Sequence, residues 1–519
     1  MYPIRTENEK MIVDEVYFTM SDGVNLYTRI AYPKNAKKCP IVLQRTLYEP
    51  AHNGTPHNLD DPEMNKCVDN GFALVFQHCR GRGDSEGFCH PYIEREDGLK
   101  TLELIRKLPI YNGEIYLHGY SYLTSVHLTY LDTCPPDIKG ASFQIQTDLQ
   151  YFRNYRNGCC YNWTNADWWF DVADRTYPVI NPEPIKKRPY INMSKRLTGN
   201  SVPEFDAQLM NITNTPYWDM DHRSSAWKHL NFPVMLTDGW YDYYIDGMFS
   251  MWERIPEHLK DKSLFVVGPY GHATKISDES EYDMPNGNIP EYAYVDWFKS
   301  IRENTKYPYA EVGKVNFYSI GGDKWRAEDF PKVFKSKRLY LNADGTLTNA
   351  PIKRGELTYK YDPSERPNYF KHNGIFKAGK LKDGILSFES EAVKEDTDFF
   401  GRVRLHVNVK SDCEDTAFAM RLYFVEDGEA YNLTDNIIAL SFIDDEYNPG
   451  EKILLDTVTP PIGFTLKKGC KLRIDIASDN DIYVPHANVK GHFAYITEEK
   501  IANNTVICDS DAYIELSEA

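Results

Sequence analysis

Three residue types that can together cleave an ester or amide occur in this chain, each within a glycine-containing motif. Ser121 lies in a Gly-Tyr-Ser-Tyr sequence, Asp242 ends a Gly-Trp-Tyr-Asp sequence, and His272 ends a Gly-Pro-Tyr-Gly-His sequence. A serine hydroxyl is a weak nucleophile until an imidazole accepts its proton. The imidazole in turn needs a carboxylate on its other ring nitrogen, which fixes the tautomer and stabilises the imidazolium. These residue types therefore indicate covalent catalysis through an acyl-enzyme.

The stretch around Ser121 predicts a strand that turns sharply into a helix. Aliphatic and aromatic residues at 115–117 favour a buried strand, and Leu123, Val126 and Tyr130 recur at helical spacing. A strand–serine–helix turn is the nucleophile elbow of the α/β-hydrolases. Such a turn raises the serine hydroxyl above the sheet and directs backbone N–H groups at the group under attack. Because Gly-x-Ser also occurs in ordinary turns, the other catalytic groups must support the assignment.

The candidate acid and base each follow a predicted buried strand, at residues 233–237 and 263–267. Open α/β sheets bind ligands at the carboxyl ends of their strands. The order serine, aspartate, histidine is also that of the α/β-hydrolase triad. Spacing alone leaves other candidates for the base and the acid, namely His78, His118, His127, Asp238 and Asp246.

The periodicity of the chain changes along its length and predicts three structural parts. In residues 1–145 and 231–332, strands alternate with helices, which predicts a largely parallel sheet. Residues 146–230 mix aromatic and polar residues with few strand signals, as expected of a helical cap over a pocket. In residues 333–519, apolar and polar residues alternate between turns, which predicts a β-sandwich. The predicted fold is an α/β-hydrolase core with an inserted helical cap and a C-terminal β jelly-roll domain.

The composition is that of a folded protein with more than one domain, since the chain has 519 residues, 42% of them hydrophobic and 26% charged. A net charge of -17 argues against a nucleic-acid partner, which requires a basic surface. We also expect no membrane partner, because no segment has the length and apolarity of a membrane span. No signal peptide is recognised, and ten cysteines without a C-x-x-C pair predict reduced thiols in a cytoplasmic protein. For the adjacent Cys159 and Cys160, buried thiols are favoured over a redox pair.

Several separated motifs, in the same order, resemble the family that includes cocaine esterase, X-prolyl dipeptidyl peptidases and α-amino-acid ester hydrolases, the CocE/NonD-like hydrolases. The resemblance covers nearly the whole chain, because a G-G-D-K-W-R sequence and the start of the β-rich region at Arg338–Leu341 also match. The motifs of the hydrolase part are Tyr48, Gln77–Gly87, Gly119–Tyr122, Gly239–Asp242 and Gly268–His272.

This resemblance implies roles for five residues. Ser121 corresponds to the nucleophile, His272 to the general base and Asp242 to its carboxylate partner. The hydroxyl of Tyr48 and the backbone N–H of Tyr122 correspond to the oxyanion hole, and a tyrosine hydroxyl is a suitably rigid donor. No metal or organic cofactor is implied. The expected partner is a small-molecule ester or amide, and the resemblance is compatible with a homodimer or a larger homo-oligomer.

The sequence departs from the family pattern at two positions. Thr124 replaces the glycine that usually follows the elbow, and His78 replaces an aspartate in the Gln77–Gly87 run. Glycine at the first position permits close packing of helix on strand, so we expect Thr124 to shift the helix or to fill a widened gap. An imidazole at position 78 is expected to alter the charge near the carboxyl end of the sheet.

Three aromatic residues are candidates for the substrate pocket. Tyr244 lies two residues after Asp242 and is expected to face the acyl group. Trp168 and Trp169, from the predicted cap, are candidates for the pocket wall because ligand pockets are commonly lined by aromatic side chains.

The favoured function is hydrolysis of a carboxylic ester or amide. An X-prolyl dipeptidyl aminopeptidase or an α-amino-acid ester hydrolase would need carboxylates that bind a substrate ammonium, for which Glu49 is a candidate. A catalytically inert binding protein and an acyltransferase that uses the same acyl-enzyme are the remaining alternatives. The identity of the acyl and leaving groups is not encoded in these motifs.

Overall fold

Two large β-sheets organise the chain, one formed within residues 4–328 and the other within residues 335–518. The first contains the predicted elbow and the second forms a C-terminal β domain, so the predicted fold class is confirmed. The computed structural model describes residues 4–48, 59–89, 91, 94–161, 166, 168–173, 177–219, 226–331, 335–365, 374–379, 381, 383–480 and 482–519.

The first sheet has eleven strands, and its centre is parallel. The strands up to residue 328 are β1 (Ile4–Glu7), β2 (Met11–Thr19), β3 (Asn25–Pro33), β4 (Cys39–Thr46), β5 (Ala73–His78), β6 (Tyr111–Tyr120), β7 (Ile138–Gln144), β8 (Tyr155–Arg156), β9 (Cys159–Cys160), β10 (Val234–Gly239), β11 (Leu264–Gly268), β12 (Val315–Ser319) and β13 (Lys324–Glu328). Their order in the sheet is β1-β2-β3-β5-β4-β6-β7-β10-β11-β12-β13, while β8 and β9 form a separate hairpin. The strands from β5 to β12 in this order pair in parallel, so the loops that follow β6, β10 and β11 meet at one edge.

The helices connect the strands, and those of the hydrolase core cover the first sheet with their apolar faces. They are α1 (Pro62–Asp69), α2 (Arg95–Ile105), α3 (Tyr122–Leu128), α4 (Tyr151–Asn154), α5 (Met193–Thr198), α6 (Pro203–Met210), α7 (Ile245–Arg254), α8 (Glu257–Lys260), α9 (Ala293–Glu303) and α10 (Leu440–Ile443). Helix α7, for example, buries Met248, Phe249 and Trp252 at helical spacing. Among the described residues, no helix is long and apolar enough to cross a membrane.

The region between β7 and β10 is less regularly helical than expected of a helical cap. Besides α4, α5, α6 and the β8–β9 hairpin, it contains a π-helix at Trp168–Ala173 and short 3₁₀ turns. Prolines at 182, 184 and 189 interrupt longer helices because proline has no N–H group to donate. The segment is instead stabilised by an apolar cluster that includes Trp169, Phe205 and Trp218. We refer to the described residues between 146 and 230 as the cap.

The C-terminal region that forms the second sheet is rich in β-strands, as its alternation of apolar and polar residues predicted. Its strands are β14 (Lys335–Leu341), β15 (Thr346–Thr348), β16 (Gly355–Tyr361), β17 (Leu386–Ser390), β18 (Thr397–Gly401), β19 (Arg404–Ser411), β20 (Ala417–Glu426), β21 (Glu429–Ala439), β22 (Ile453–Val458), β23 (Ile462–Leu466), β24 (Lys471–Ala477), β25 (Ala502–Cys508) and β26 (Tyr513–Glu518). The β domain packs directly against the first sheet, with the rings of Phe317 and Phe400 stacked 4.2 Å apart. This packing places the β20–β21 hairpin beside the edge that carries the predicted catalytic residues. There the hydroxyl of Tyr241 donates to Asn432 O over 3.1 Å.

Candidate active site

Ser121 lies at the predicted sharp turn between β6 and α3. Its backbone has φ 51° and ψ -130°, a left-handed conformation that non-glycine residues rarely adopt and that often occurs at functional sites. A Cβ atom at Gly119 would lie 2.4 Å from the carbonyl carbon of Leu123, so only glycine allows the helix to approach the strand. The backbone N–H of Ser121 donates to Gln144 O over 2.9 Å and ties the turn to β7.

The structure brings Ser121, His272 and Asp242 into one hydrogen-bonded chain. Ser121 Oγ lies 2.8 Å from His272 Nε2, and His272 Nδ1 lies 2.9 Å from Asp242 Oδ2. The other carboxylate oxygen of Asp242 accepts the backbone N–H of Tyr244 over 3.0 Å. The Asp242 side chain is fully buried, whereas the His272 side chain is 26% exposed. With Nδ1–H directed at Asp242, the Nε2 atom is left as an acceptor for the serine proton.

The other histidines considered from the sequence lie elsewhere in the core. His127 Nε2 contacts His118 O at 2.9 Å, and His118 stacks on Tyr294 with ring centroids 3.6 Å apart. Burial lowers the pKa of His118 and of His127 to about 3, so neither can hold a transferred proton near neutral pH. His78 is also buried and packs against Tyr27, with ring centroids 5.3 Å apart.

The two competing carboxylates occupy different environments from Asp242. Asp246 forms an ion pair of 2.6 Å with Arg402 of the β domain. Asp238 is buried within β10, the strand that Asp242 follows, and accepts the backbone N–H of Gly239 over 2.8 Å. Burial and the neighbouring Asp242 raise the pKa of Asp238 well above its usual range, which favours a neutral carboxylic acid at this position. Of the three candidates, Asp242 is the one that contacts His272.

The two predicted oxyanion donors flank the same tryptophan of the cap. Tyr48 follows β4, and its hydroxyl accepts the indole N–H of Trp168 over 3.2 Å. Tyr122 is the first residue of α3, where backbone N–H groups have no partner within the helix itself. Its ring lies 5.2 Å from that of Trp168, and its hydroxyl donates to Glu94. Trp168 therefore contacts the side chains of both tyrosines of the predicted oxyanion hole.

Thr124 fills the gap behind the elbow. Its side chain is completely buried, and its hydroxyl donates to Gly119 O over 2.7 Å. The same oxygen accepts the backbone N–H of Gln144 over 3.2 Å. The hydroxyl thus bridges β6 and β7 at the position where the family pattern has glycine.

A cavity of about 340 Å³ opens beside His272 and Asp242, between the first sheet, the cap and the β domain. Of the predicted pocket residues, Trp168 lines this cavity, whereas Trp169 is packed inside the cap against Phe205. Tyr244 is buried behind His272, and its neighbour Tyr243 lines the cavity instead. The Tyr243 ring stacks on the imidazole of His272 at 4.9 Å, with the planes 19° apart.

Sequence reasoning missed several residues that line this cavity. Tyr243 belongs to the hydrolase core, Arg153 and Arg156 belong to the cap, and Asn432–Asp435 belong to the β20–β21 hairpin. The one available signal was the presence of two arginines in the aromatic stretch after β7. The contribution of the β domain depends on packing between segments almost 200 positions apart and has no local signature.

The adjacent Cys159 and Cys160 form β9 and are both buried. Burial raises the pKa of Cys160 to about 12 and that of Cys159 well above its usual range. A thiol that stays protonated is a poor nucleophile and is slow to oxidise. These residues are best understood as part of the packing between the cap and the β domain.

An α/β sheet with a serine elbow after β6, an aspartate after β10 and a histidine after β11 defines an α/β-hydrolase. Comparison with family models then identifies the family of the chain. Residues 22–274 match the X-Pro dipeptidyl-peptidase (S15 family) model, and residues 311–513 match the X-Pro dipeptidyl-peptidase C-terminal non-catalytic domain. The chain belongs to this family of serine hydrolases.

Individual relatives are distant in sequence. Cocaine esterase from Rhodococcus sp. (strain MB1 Bresler) is 23% identical over 500 residues, which cover 84% of each chain. An aminopeptidase from a marine sediment Thaumarchaeota archaeon superimposes with a TM-score of 0.81 at 17% identity, covering 100% of this chain and 98% of that chain. An α-amino acid ester hydrolase gives the same TM-score and coverage at 18% identity. The two structural similarities establish the fold, which is shared by enzymes named for different substrates.

Proposed function

We propose that this protein hydrolyses a carboxylic ester or amide through an acyl-enzyme on Ser121. The observation that carries the proposal is the hydrogen-bonded chain of 2.8 Å and 2.9 Å that joins Ser121, His272 and Asp242. Attack of Ser121 Oγ on the carbonyl carbon transfers the serine proton to His272 Nε2. The imidazolium that forms is stabilised by the buried carboxylate of Asp242.

We assign the Tyr48 hydroxyl and the Tyr122 backbone N–H as the donors that stabilise the negative charge developing on the carbonyl oxygen. His272 then gives its proton to the departing alcohol or amine, and the acyl group remains on Ser121. A water molecule, deprotonated by His272, attacks this ester and releases the carboxylic acid and the regenerated serine. Trp168 and Tyr243 form the apolar wall of the cavity in which these steps occur.

The peptidase and amino-acid ester hydrolase alternatives receive less support from the cavity. Both require a carboxylate that binds a substrate ammonium. Asp435 lines the cavity, but it forms an ion pair of 3.1 Å with Arg421. Glu49, the other candidate, lies outside the described residues. Transfer of the acyl group to an acceptor other than water would use the same residues, and product analysis with added alcohols or amines distinguishes it from hydrolysis.

The proposal is tested by mass spectrometry of the intact protein after reaction with a fluorophosphonate. We expect one adduct on the wild type and none on Ser121→Ala. Ser125→Ala is a matched control, because Ser125 lies in α3 and is buried four residues from the nucleophile. An adduct that persists on Ser121→Ala, or folded wild-type protein without an adduct, would contradict the assignment.

A further inference from the structure

Arg156 is a buried cation on the wall of the catalytic cavity. Its side chain belongs to the β8–β9 hairpin of the cap, lines the cavity and is only 9% exposed. Within the described part of the chain, no hydrogen bond or ion pair engages its guanidinium group, which lies over the ring of Tyr161, 5.8 Å from the ring centroid. Arginine stays charged at all ordinary pH values and carries five N–H donors. A buried guanidinium that makes so few polar contacts is poised to bind an anion.

The carboxylates nearest to Arg156 are already engaged by other arginines. Burial lowers the pKa of Arg156, but Tyr161 and Tyr483, followed by Asp246 and Asp435, raise it above its ordinary value. Asp246, however, forms its ion pair of 2.6 Å with Arg402, and Asp435 forms its ion pair of 3.1 Å with Arg421. The charge of Arg156 therefore remains uncompensated by a direct partner on the cavity side.

A second guanidinium lies on the same wall. Arg153 lines the cavity and lies over the ring of Trp168, 4.1 Å from its centroid. The negative charges on the lining are Asp242, which is hydrogen-bonded to His272, and Asp435, which is paired with Arg421. The cavity thus presents two arginines although the whole chain has a net charge of -17. Because His272 and Arg421 engage the two aspartates, Arg156 is left without a carboxylate partner among the described residues, which favours an anionic ligand on this wall.

We propose that the substrate of this enzyme carries a carboxylate in addition to its ester or amide bond, and that Arg156 binds this carboxylate. The proposal rests on the proposed function, because the cavity is the one beside Asp242 and His272. A planar guanidinium matches a carboxylate with two parallel hydrogen bonds. The same charge disfavours substrates that carry an ammonium group, which distinguishes this enzyme from one that acts on free amino-terminal groups.

The test compares esters of equal length and different charge. p-Nitrophenyl hemiadipate, p-nitrophenyl hexanoate and p-nitrophenyl 5-(trimethylammonio)pentanoate place an anionic, a neutral and a cationic end on the acyl group. We expect wild-type kcat/KM to be about tenfold or more higher for the anionic ester than for the neutral one. The cationic ester should be the poorest of the three.

Arg156→Gln should lower kcat/KM for the anionic ester by about 10- to 100-fold and leave the neutral ester nearly unchanged, because it removes a charge-assisted contact. Arg156→Lys keeps the charge and should retain part of the preference. Lys187→Gln is the matched control, since it removes one positive charge from the exposed surface of the cap. This control should leave kcat/KM unchanged for both esters.

A second pair of substrates, 4-carboxyphenyl butanoate and 4-methylphenyl butanoate, carries the charge on the leaving group. Loss of activity on the carboxylated member in Arg156→Gln would support the proposal and assign the carboxylate to that side. No anionic preference in either pair, with Ser121 still labelled by the fluorophosphonate, would overturn the proposal and leave the hydrolase assignment intact. The comparison of both substrate sets on wild-type protein tests the anionic preference even if Arg156→Gln does not fold.

Discussion

The catalytic edge of the first sheet and the wall of the cavity are constructed differently. The catalytic edge carries the proposed catalytic residues Ser121, Asp242 and His272, each of which follows the end of its own parallel strand. The wall combines Arg156 and Trp168 of the cap with residues of the β20–β21 hairpin. The edge is thus defined by short turns, whereas the wall requires three distant parts of the chain to pack together. We infer that the edge determines the reaction and the wall determines which substrates undergo it.

The hydrogen bonds show the same difference between the catalytic edge and the cavity wall. The acid and base loops are joined to each other by backbone bonds, from Trp240 N to Gly268 O and from Tyr241 N to Tyr270 O, both 2.9 Å long. The wall is held by contacts between parts, such as the 3.0 Å bond from the Asn157 side chain to Ile437 O. Changes at the edge should therefore lower kcat for all substrates, and changes in the wall should alter the ratio between substrates.

The largest effect expected at the edge is that of Asp242→Asn. An amide at this position disfavours the tautomer that His272 needs, so kcat should fall by about 10⁴-fold for the anionic and neutral esters alike. Asp238→Asn is the matched change, because an amide can keep the 2.8 Å bond from Gly239 N and the contact with Asp242. Its kcat should stay close to that of the wild type. Equal losses in the two variants, measured by steady-state kinetics, would show that the carboxylates act as a pair.

Tyr48→Phe tests the boundary between the edge and the wall, because the Tyr48 hydroxyl is contacted by Trp168 of the cap. Removal of one oxyanion donor should lower kcat by about 10²- to 10³-fold with little change in KM. Tyr151→Phe, which removes a buried tyrosine hydroxyl of the cap, should leave kcat unchanged. A rise in KM alone would instead place Tyr48 among the residues of the wall.

The smallest effect on catalysis is expected for Thr124→Val, which removes the hydroxyl between β6 and β7 without changing the side-chain shape. Gly119 O then loses its bond of 2.7 Å, so the free energy of unfolding should fall by about 1–3 kcal/mol. Thr124→Ser keeps the hydroxyl and should be less destabilised. Urea unfolding gives the stabilities, and the ratio of kcat/KM between the anionic and neutral esters should be unchanged in both variants. A changed ratio would mean that the edge also influences substrate choice.

Most of the fold was predictable from the sequence, because periodicity is a local property. Alternation of strands and helices indicated the parallel sheet, and alternation of apolar and polar residues indicated the β domain. The cap was predicted as helical but contains short helices, a hairpin and a π-helix, since prolines and clustered aromatic side chains override helical periodicity. Ser121 and His272 were recognisable because the sharp turns that expose them require glycine at nearby positions.

The remaining features of the site depend on contacts between distant segments. The spacing of Asp238, Asp242 and Asp246 could not identify the partner of His272, because that depends on how two strand ends lie side by side. In the Tyr243–Tyr244 and Trp168–Trp169 pairs, the backbone direction decides which ring faces the cavity. Whether Arg156 forms an ion pair depends on Arg402 and Arg421 of the β domain, which engage the nearby carboxylates. Local residue patterns thus specify the turns that carry the reactive groups, while the charge and shape of the cavity arise from packing between the three parts.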